Sequence, residues 1–138
     1  VFNYFSHTQD MNARFLITDI VRALKNNEVF KTSSDNIVRD FFTPPSFYAL
    51  IQAIIDFKPI NTALDCYTKS PVSKFDLLSE LESKFGLNYE INESIDIINA
   101  TGSKINYYST NKIAKDMGYD PINTSLESVI QEINFLGL

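Results

Sequence analysis

Ile37-Val38-Arg39-Asp40-Phe41-Phe42-Thr43-Pro44-Pro45-Ser46-Phe47-Tyr48-Ala49-Leu50-Ile51-Gln52-Ala53-Ile54-Ile55 is the stretch whose reading decides the fold. Its first six residues are a short apolar run of strand type, interrupted by Arg39-Asp40. Thr43-Pro44-Pro45 then supplies a cap-type residue and prolines tolerated in a first helical turn. Phe47, Leu50, Ile51, Ile54 and Ile55 recur at helical spacing and predict one buried stripe, which Pro59 closes. A strand that runs straight into a helix belongs to a layered α/β or α+β architecture rather than to a bundle.

The same alternation continues on both sides. Leu16, Ile17, Ile20, Val21 and Leu24 predict a helix over about residues 12 to 26, ended by Lys25-Asn26-Asn27. Ser73 with Asp76 opens a helix over 73 to 85, with Phe75, Leu78, Leu81 and Phe85 inward and Gly86 at the left-handed stop. Thr124-Ser125-Leu126-Glu127 is a full capping box, and it predicts a last helix burying Leu126, Val129, Ile130 and Ile133. A shorter helix is expected from Ser109 as cap to Met117, with Gly118 after it. Strand-like pieces lie at 1–5, 29–31, 37–42, 63–67, 87–91 and 104–107. The expectation is a small mixed sheet with about four to five helices.

With 138 residues and 15.7 kDa, 44% apolar and 21% charged, the chain has the length of one domain and the composition of an ordinary globular protein. Its four glycines, Gly86, Gly102, Gly118 and Gly137, are isolated, so no Gly-rich loop is available to cradle a phosphate. One histidine and one cysteine exclude Cys/His zinc sites and a disulfide framework. A net charge of -5 with scattered basic residues argues against nucleic acid, and the apolar runs are too short to span a membrane. A single Cys suits a reducing, cytoplasmic setting. The start at Val1 rather than Met leads us to expect a preceding segment.

Few residues carry chemistry. Tyr108 and Lys112 have Tyr-x-x-x-Lys spacing, but Ser109 as a helix cap between them would keep them off one helix face. The sequons at Asn92, Asn99 and Asn123 match the number that composition produces by chance. His7 reads as a loop histidine without a nucleophile motif, and Cys66 as a small buried hydrophobe. Phe41-Phe42 and Tyr107-Tyr108 are core aromatics before they are stacking platforms. Arg39 is different, because an apolar strand presents it just before a helix. It reads equally as half of a surface arrangement with Asp40 or as a bidentate clamp on a phosphate or carboxylate.

Four segments, taken in order, resemble the C-terminal part of the extended short-chain dehydrogenase/reductase family, the NAD(P)-dependent nucleotide-sugar epimerases, dehydratases and reductases. Val1-Phe2-Asn3-Tyr4-Phe5 is similar to the family's Asn-bearing strand, and Arg14-Phe15-Leu16 through Ala23-Leu24-Lys25 to its Ala-Leu-Lys-Gly helix. Val38-Arg39-Asp40-Phe41 matches Arg-Asp-Phe. Lys112 to Pro121 with Ser125-Leu126-Glu127 resembles the closing Leu-Gly-Tyr-x-Pro and Ser-Leu-Glu signature. The resemblance implies that residues 1–138 are a C-terminal substrate-binding lobe, with the dinucleotide-binding Rossmann domain, the catalytic tyrosine helix and the bound NAD or NADP all outside this chain.

On that resemblance the substrate is a nucleoside diphosphate sugar. Asn3 and Arg39 take the places of the family residues on the diphosphate, Asn12 and Arg14 those that touch phosphate or base, and Val29-Phe30-Lys31 the side of the nucleobase slot. An expected Arg-x-Gly-Asp is Ala100-Thr101-Gly102-Ser103, so Lys104 would substitute for its arginine as a point charge. Gly-Pro after the Asn strand is Ser6-His7, Asn-x-Gly-Ser-Gly is Asp65-Cys66-Tyr67-Thr68-Lys69, and the Val-Asp-Asp helix entry is Pro44-Pro45-Ser46. An isolated lobe would leave the apolar face that meets the Rossmann domain open to self-association into a homo-oligomer. Loss of several family residues also fits a non-catalytic nucleotide- or protein-binding module.

Overall fold

In a computed structural model that describes residues 1–93 and 104–138, the chain alternates short strands with helices. The first half runs β1 (Asn3–Tyr4), α1 (Leu16–Asn26), β2 (Phe30–Thr32), β3 (Val38–Arg39), β4 (Phe41–Phe42) and α2 (Pro44–Asp56). The second half runs β5 (Val72–Ser73), α3 (Lys74–Phe85), β6 (Tyr89–Ile91), β7 (Asn106–Tyr107), a 3-10 turn at Ile113–Met117 and α4 (Ser125–Asn134). The mixed α/β class and the helix number agree with the sequence reading. The expected sequon at Asn99 and the turn at Ala100-Thr101-Gly102-Ser103 lie outside the described residues.

Among the described residues the expected single small sheet is three, two of which are separate because the expected strand 37–42 divides at Asp40. Val38 and Arg39 pair antiparallel with β5 and parallel with β7, whereas Phe41 and Phe42 pair parallel with Asn3 and Tyr4. The Asp40 side chain causes the division: its carboxylate accepts the Thr68 N–H at 3.0 Å and the Thr68 hydroxyl at 2.5 Å. A third sheet joins β2 and β6 in parallel.

Local side-chain bonds also explain where helices start. The expected helix from residue 12 begins at Leu16. Residues 10–15 are held as a turn, in which the Thr18 hydroxyl accepts the Phe15 N–H and donates to the Ala13 carbonyl, and Arg22 donates to the Met11 and Ala13 carbonyls. The expected helix from Ser109 is cut to Ile113–Met117. Ser109 Oγ accepts the Asn111 N–H and Asn111 Oδ1 accepts the Ile113 N–H, two side-chain turns that compete with helix. Tyr108 and Lys112 therefore share no helix. At α3 and α4 the caps are as expected: Ser73 Oγ accepts the Asp76 N–H, and Thr124 and Glu127 complete a reciprocal box.

The core has two parts. In the larger, α1 contributes Ile17, Ile20 and Val21, α3 contributes Leu77, Leu78 and Leu81, and α4 contributes Val129 and Ile133, all closing over Phe5, Phe30 and Phe41. Leu77 takes the central place expected for Phe75 and Phe85, which are only partly buried. The smaller part gathers Phe42, Leu50, Cys66, Tyr67, Ala114 and Tyr119. Residues 63–67, expected as a strand, are extended without a ladder among the described residues, yet Cys66 and Tyr67 are buried. Helix α2 is the main departure. Only Leu50 of its predicted stripe is buried, while Phe47, Ile51, Ile54 and Ile55 are exposed, the last at 66%. Among the described residues, no second layer covers that face.

Two outcomes follow for stability. Leu77→Ala is expected to cost about 2–5 kcal/mol and Ile55→Ala to stay within about 0.5 kcal/mol, read by urea unfolding of the chain. The Thr124 bonds, backbone first, hold the Glu127 carboxyl below the usual carboxylate range. A carboxyl lowered in the folded state adds stability above its unfolded pKa of about 4.3, and that stability is lost as pH falls through the lowered value. Unfolding curves of wild type and Glu127→Gln are therefore expected to differ at neutral pH and converge on acidification.

Candidate functional site

Asp40, between β3 and β4, bonds Thr68, whereas Arg39, in β3, lies beside its register partner Tyr107. The Arg39 side chain is 3% exposed and strongly engaged. Nη1 donates to the carbonyls of Val38 at 2.8 Å and Ile105 at 2.9 Å, and Nη2 donates to that of Lys104 at 2.8 Å. Its guanidinium carbon lies 5.9 Å from the centre of the Tyr107 ring. Burial lowers the Arg39 pKa, with Tyr107 acting in the opposite sense, but an arginine remains charged under such a shift.

Tyr107 is the hub of this corner. Lys104 Nζ stands 4.7 Å from its ring centre, and Phe2 meets the ring edge-on at 5.1 Å. Asn3 Nδ2 donates to the Tyr107 carbonyl at 3.4 Å and to the Asp40 carbonyl at 3.5 Å. Asn3, Arg39 and Lys104, far apart in sequence, are thus gathered at Tyr107, Arg39 and Lys104 over its ring and Asn3 at its backbone carbonyl. Such a corner can receive an anion: Lys104 offers a mobile point charge, Asn3 an amide, and Arg39 a fixed positive field.

The other sequence candidates stand elsewhere. Asn12 and Arg14 are exposed in the turn before α1, where the Asn12 N–H is held by Asp10. Phe30 is 9% exposed and belongs to the main core; Lys31 is the exposed residue of that strand, and Val29, just before it, is also exposed. The surface arrangement of Arg39 with Asp40 is not formed. His7 remains a loop residue but has a partner: its Nδ1 and backbone N–H both meet Glu132 Oε2, at 2.7 and 2.9 Å, and Glu132 is buried. Among the described residues, no three His, Cys, Asp or Glu side chains gather to hold a metal, and no helix is long and apolar enough to cross a membrane.

Sequence reasoning missed Tyr107, Thr68 and Glu132. Nothing local to Tyr107 states that it sits across from Arg39, since that depends on a parallel register between residues 68 positions apart.

No protein-family model and no curated protein matches the sequence. Solved structures do match in fold. A UDP-glucuronic acid 4-epimerase from Bacillus cereus, in complex with UDP-glucuronic acid and NAD, superimposes with a TM-score of 0.77 at 14% identity, over 99% of this chain and 43% of that one. A UDP-glucose 4-epimerase from Thermotoga maritima with UDP-glucose gives 0.76 at 14% identity, over 98% and 43%. A UDP-N-acetylglucosamine 4-epimerase from Methanobrevibacter ruminantium, in complex with UDP-N-acetylmuramic acid, gives 0.71 at 16% identity, over 98% and 44%. The chain therefore has the fold of part of these epimerases and spans less than half of their length.

Thr68→Val tests the buried bond that orients the site. It leaves the Asp40 carboxylate without its hydroxyl donor and is expected to cost about 1–3 kcal/mol in urea unfolding.

Proposed function

We propose that these residues form the substrate-side lobe of an NAD(P)-dependent nucleotide-sugar epimerase, dehydratase or reductase, and that Asn3, Arg39 and Lys104 receive the diphosphate of the sugar nucleotide. The observation that carries this reading is their convergence on Tyr107 within a fold shared with UDP-sugar 4-epimerases. Arg39 has two tasks. It contributes positive charge, and by holding the Lys104 and Ile105 carbonyls it fixes the backbone from which the Lys104 ammonium reaches over the ring. Asn12 and Arg14, being exposed, are available to phosphate or base only if the nucleotide extends past the turn before α1. Val29 and Lys31, rather than the buried Phe30, would meet a nucleobase.

The cofactor does not fit this chain's own residues. The isolated glycines provide no dinucleotide cradle, so NAD or NADP would be held by a Rossmann domain outside these residues, and none of them is assigned a part in hydride transfer. The exposed stripe of α2 supports such a neighbour, since an uncovered row of Phe47, Ile51, Ile54 and Ile55 is the kind of face that α/β layers bury. The same face is open to a second copy of the chain. It also favours the second reading, a binding module whose work is done through that surface without catalysis. The single buried Cys66 fits a cytoplasmic setting.

Calorimetric titration with UDP-glucose separates these outcomes. Saturable binding is expected, weakened about tenfold, or 1.4 kcal/mol, by Lys104→Gln. Arg39→Gln is expected to lose about 1.5–3 kcal/mol, with melting curves reporting whether the fold is kept. Equal affinities in all three proteins would remove the diphosphate assignment.

A further inference from the structure

A second basic site lies apart from the Tyr107 corner, none of whose residues lines it. A cleft between the 67–69 segment and the 112–122 segment is lined by Tyr67, Thr68, Lys69, Lys112, Lys115 and Tyr119, with Asp120, Pro121 and Ile122 on one rim. Its floor is rigid. Tyr119 is buried and donates its hydroxyl to the Tyr67 carbonyl at 2.8 Å, the two rings meet edge to face at 5.2 Å, and Thr68 is held by Asp40. The Lys69 N–H donates to the Asn123 carbonyl at 2.9 Å and ties the two segments together.

Three lysines, Lys69, Lys112 and Lys115, line this cleft. Lys112 Nζ stands 3.7 Å from the centre of the Tyr67 ring. Among the described residues, none of Lys69, Lys112 and Lys115 has a carboxylate within 4.0 Å, although acidic residues outnumber basic ones in the chain, 17 to 12. Against them stand Asp120 in the lining, Asp116 acting with it on Tyr67, the buried Asp40 acting on Lys112, and Glu127 near Lys69. Asp40 is already committed to Thr68. Burial lowers the Lys112 pKa, the mark of an ammonium partly stripped of water. The Tyr67 hydroxyl is buried beside the Lys115 backbone without a full hydrogen-bond partner.

Two of these residues are additions to the resembled pattern. Tyr67 and Lys69 occupy the two glycine positions of Asn-x-Gly-Ser-Gly, so this chain has put a ring and a cation where that pattern has no side chain. Lysines on a preformed floor with no carboxylate in contact remain available to an added anion. We propose that the cleft bounded by Lys69, Lys112 and Lys115 over Tyr67 is a binding site for a small phosphate-type polyanion, separate from the sugar-nucleotide site. Lys112 is the central contact, because the Tyr67 ring holds its ammonium in place. The ring face is taken by that ammonium, so the ligand is read by its charged oxygens and not by base stacking.

Titration of the 138-residue chain with pyrophosphate, followed by amide NMR, tests this. The expected result is saturable shifts at Thr68, Lys69, Lys112, Lys115 and Asp120, weakened at least fivefold in Lys112→Gln and abolished in Lys69→Gln/Lys112→Gln. Both variants should keep the wild-type melting temperature, since these side chains are exposed. UDP-glucose shifts at Tyr107 and Lys104 should be unchanged in them, which keeps failure here distinct from failure of the sugar-nucleotide reading. Pyrophosphate shifts that are absent, non-saturable, confined to the Tyr107 corner or indifferent to Lys112→Gln would overturn the proposal.

Discussion

The bond between Asp40 and Thr68 organises the molecule. A carboxylate taken out of water must be hydrogen-bonded, and here both of its oxygens are satisfied by one residue, through the Thr68 N–H and hydroxyl. Two consequences follow from that pairing. The 37–42 run divides into β3 and β4, which join different sheets, and the 66–69 segment, which has no ladder of its own among the described residues, is pinned against the core. Of the two basic corners of the chain, the one around Tyr107 holds Arg39, next to Asp40 in the chain, and the one around Tyr67 holds Thr68.

Helices were legible because their signals are local. The Thr124-Glu127 box, the Ser73 cap and the left-handed Gly86 and Gly118 are contained within a few residues each, and they appear where the sequence places them. Strands were legible only as apolar pieces. Their grouping among the described residues into three sheets depends on register partners 33 to 68 positions away, and no periodicity within Val38-Arg39 announces Val72-Ser73 on one side and Asn106-Tyr107 on the other. Helix α2 shows a different limit. Its apolar stripe was expected to be buried, but periodicity alone does not say what covers a face, and among the described residues only Leu50 is buried.

The candidate site was half legible. Arg39 stood out because a strand offers a cation few reasons to be present, and Asn3 and Lys104 entered through the resemblance. Their assembly around Tyr107 belongs to the register of β3 with β7 and β1 with β4, which only the fold supplies. Phe30 shows the reverse error. Position in the pattern suggested a ligand contact, while the alternation of β2, with Phe30 and Thr32 inward and Lys31 outward, gives it to the core.

Under the proposed function, a nucleoside diphosphate sugar lies against the Asn3, Arg39 and Lys104 corner, held by charge rather than by chemistry done on this chain. The most direct measurement is a crystal structure of the chain grown with UDP-glucose. Diphosphate density is predicted within hydrogen-bond distance of Lys104 Nζ and Asn3 Nδ2, beside the Tyr107 ring. Density for the nucleotide anywhere else, with that corner empty at saturating ligand, would contradict the assignment.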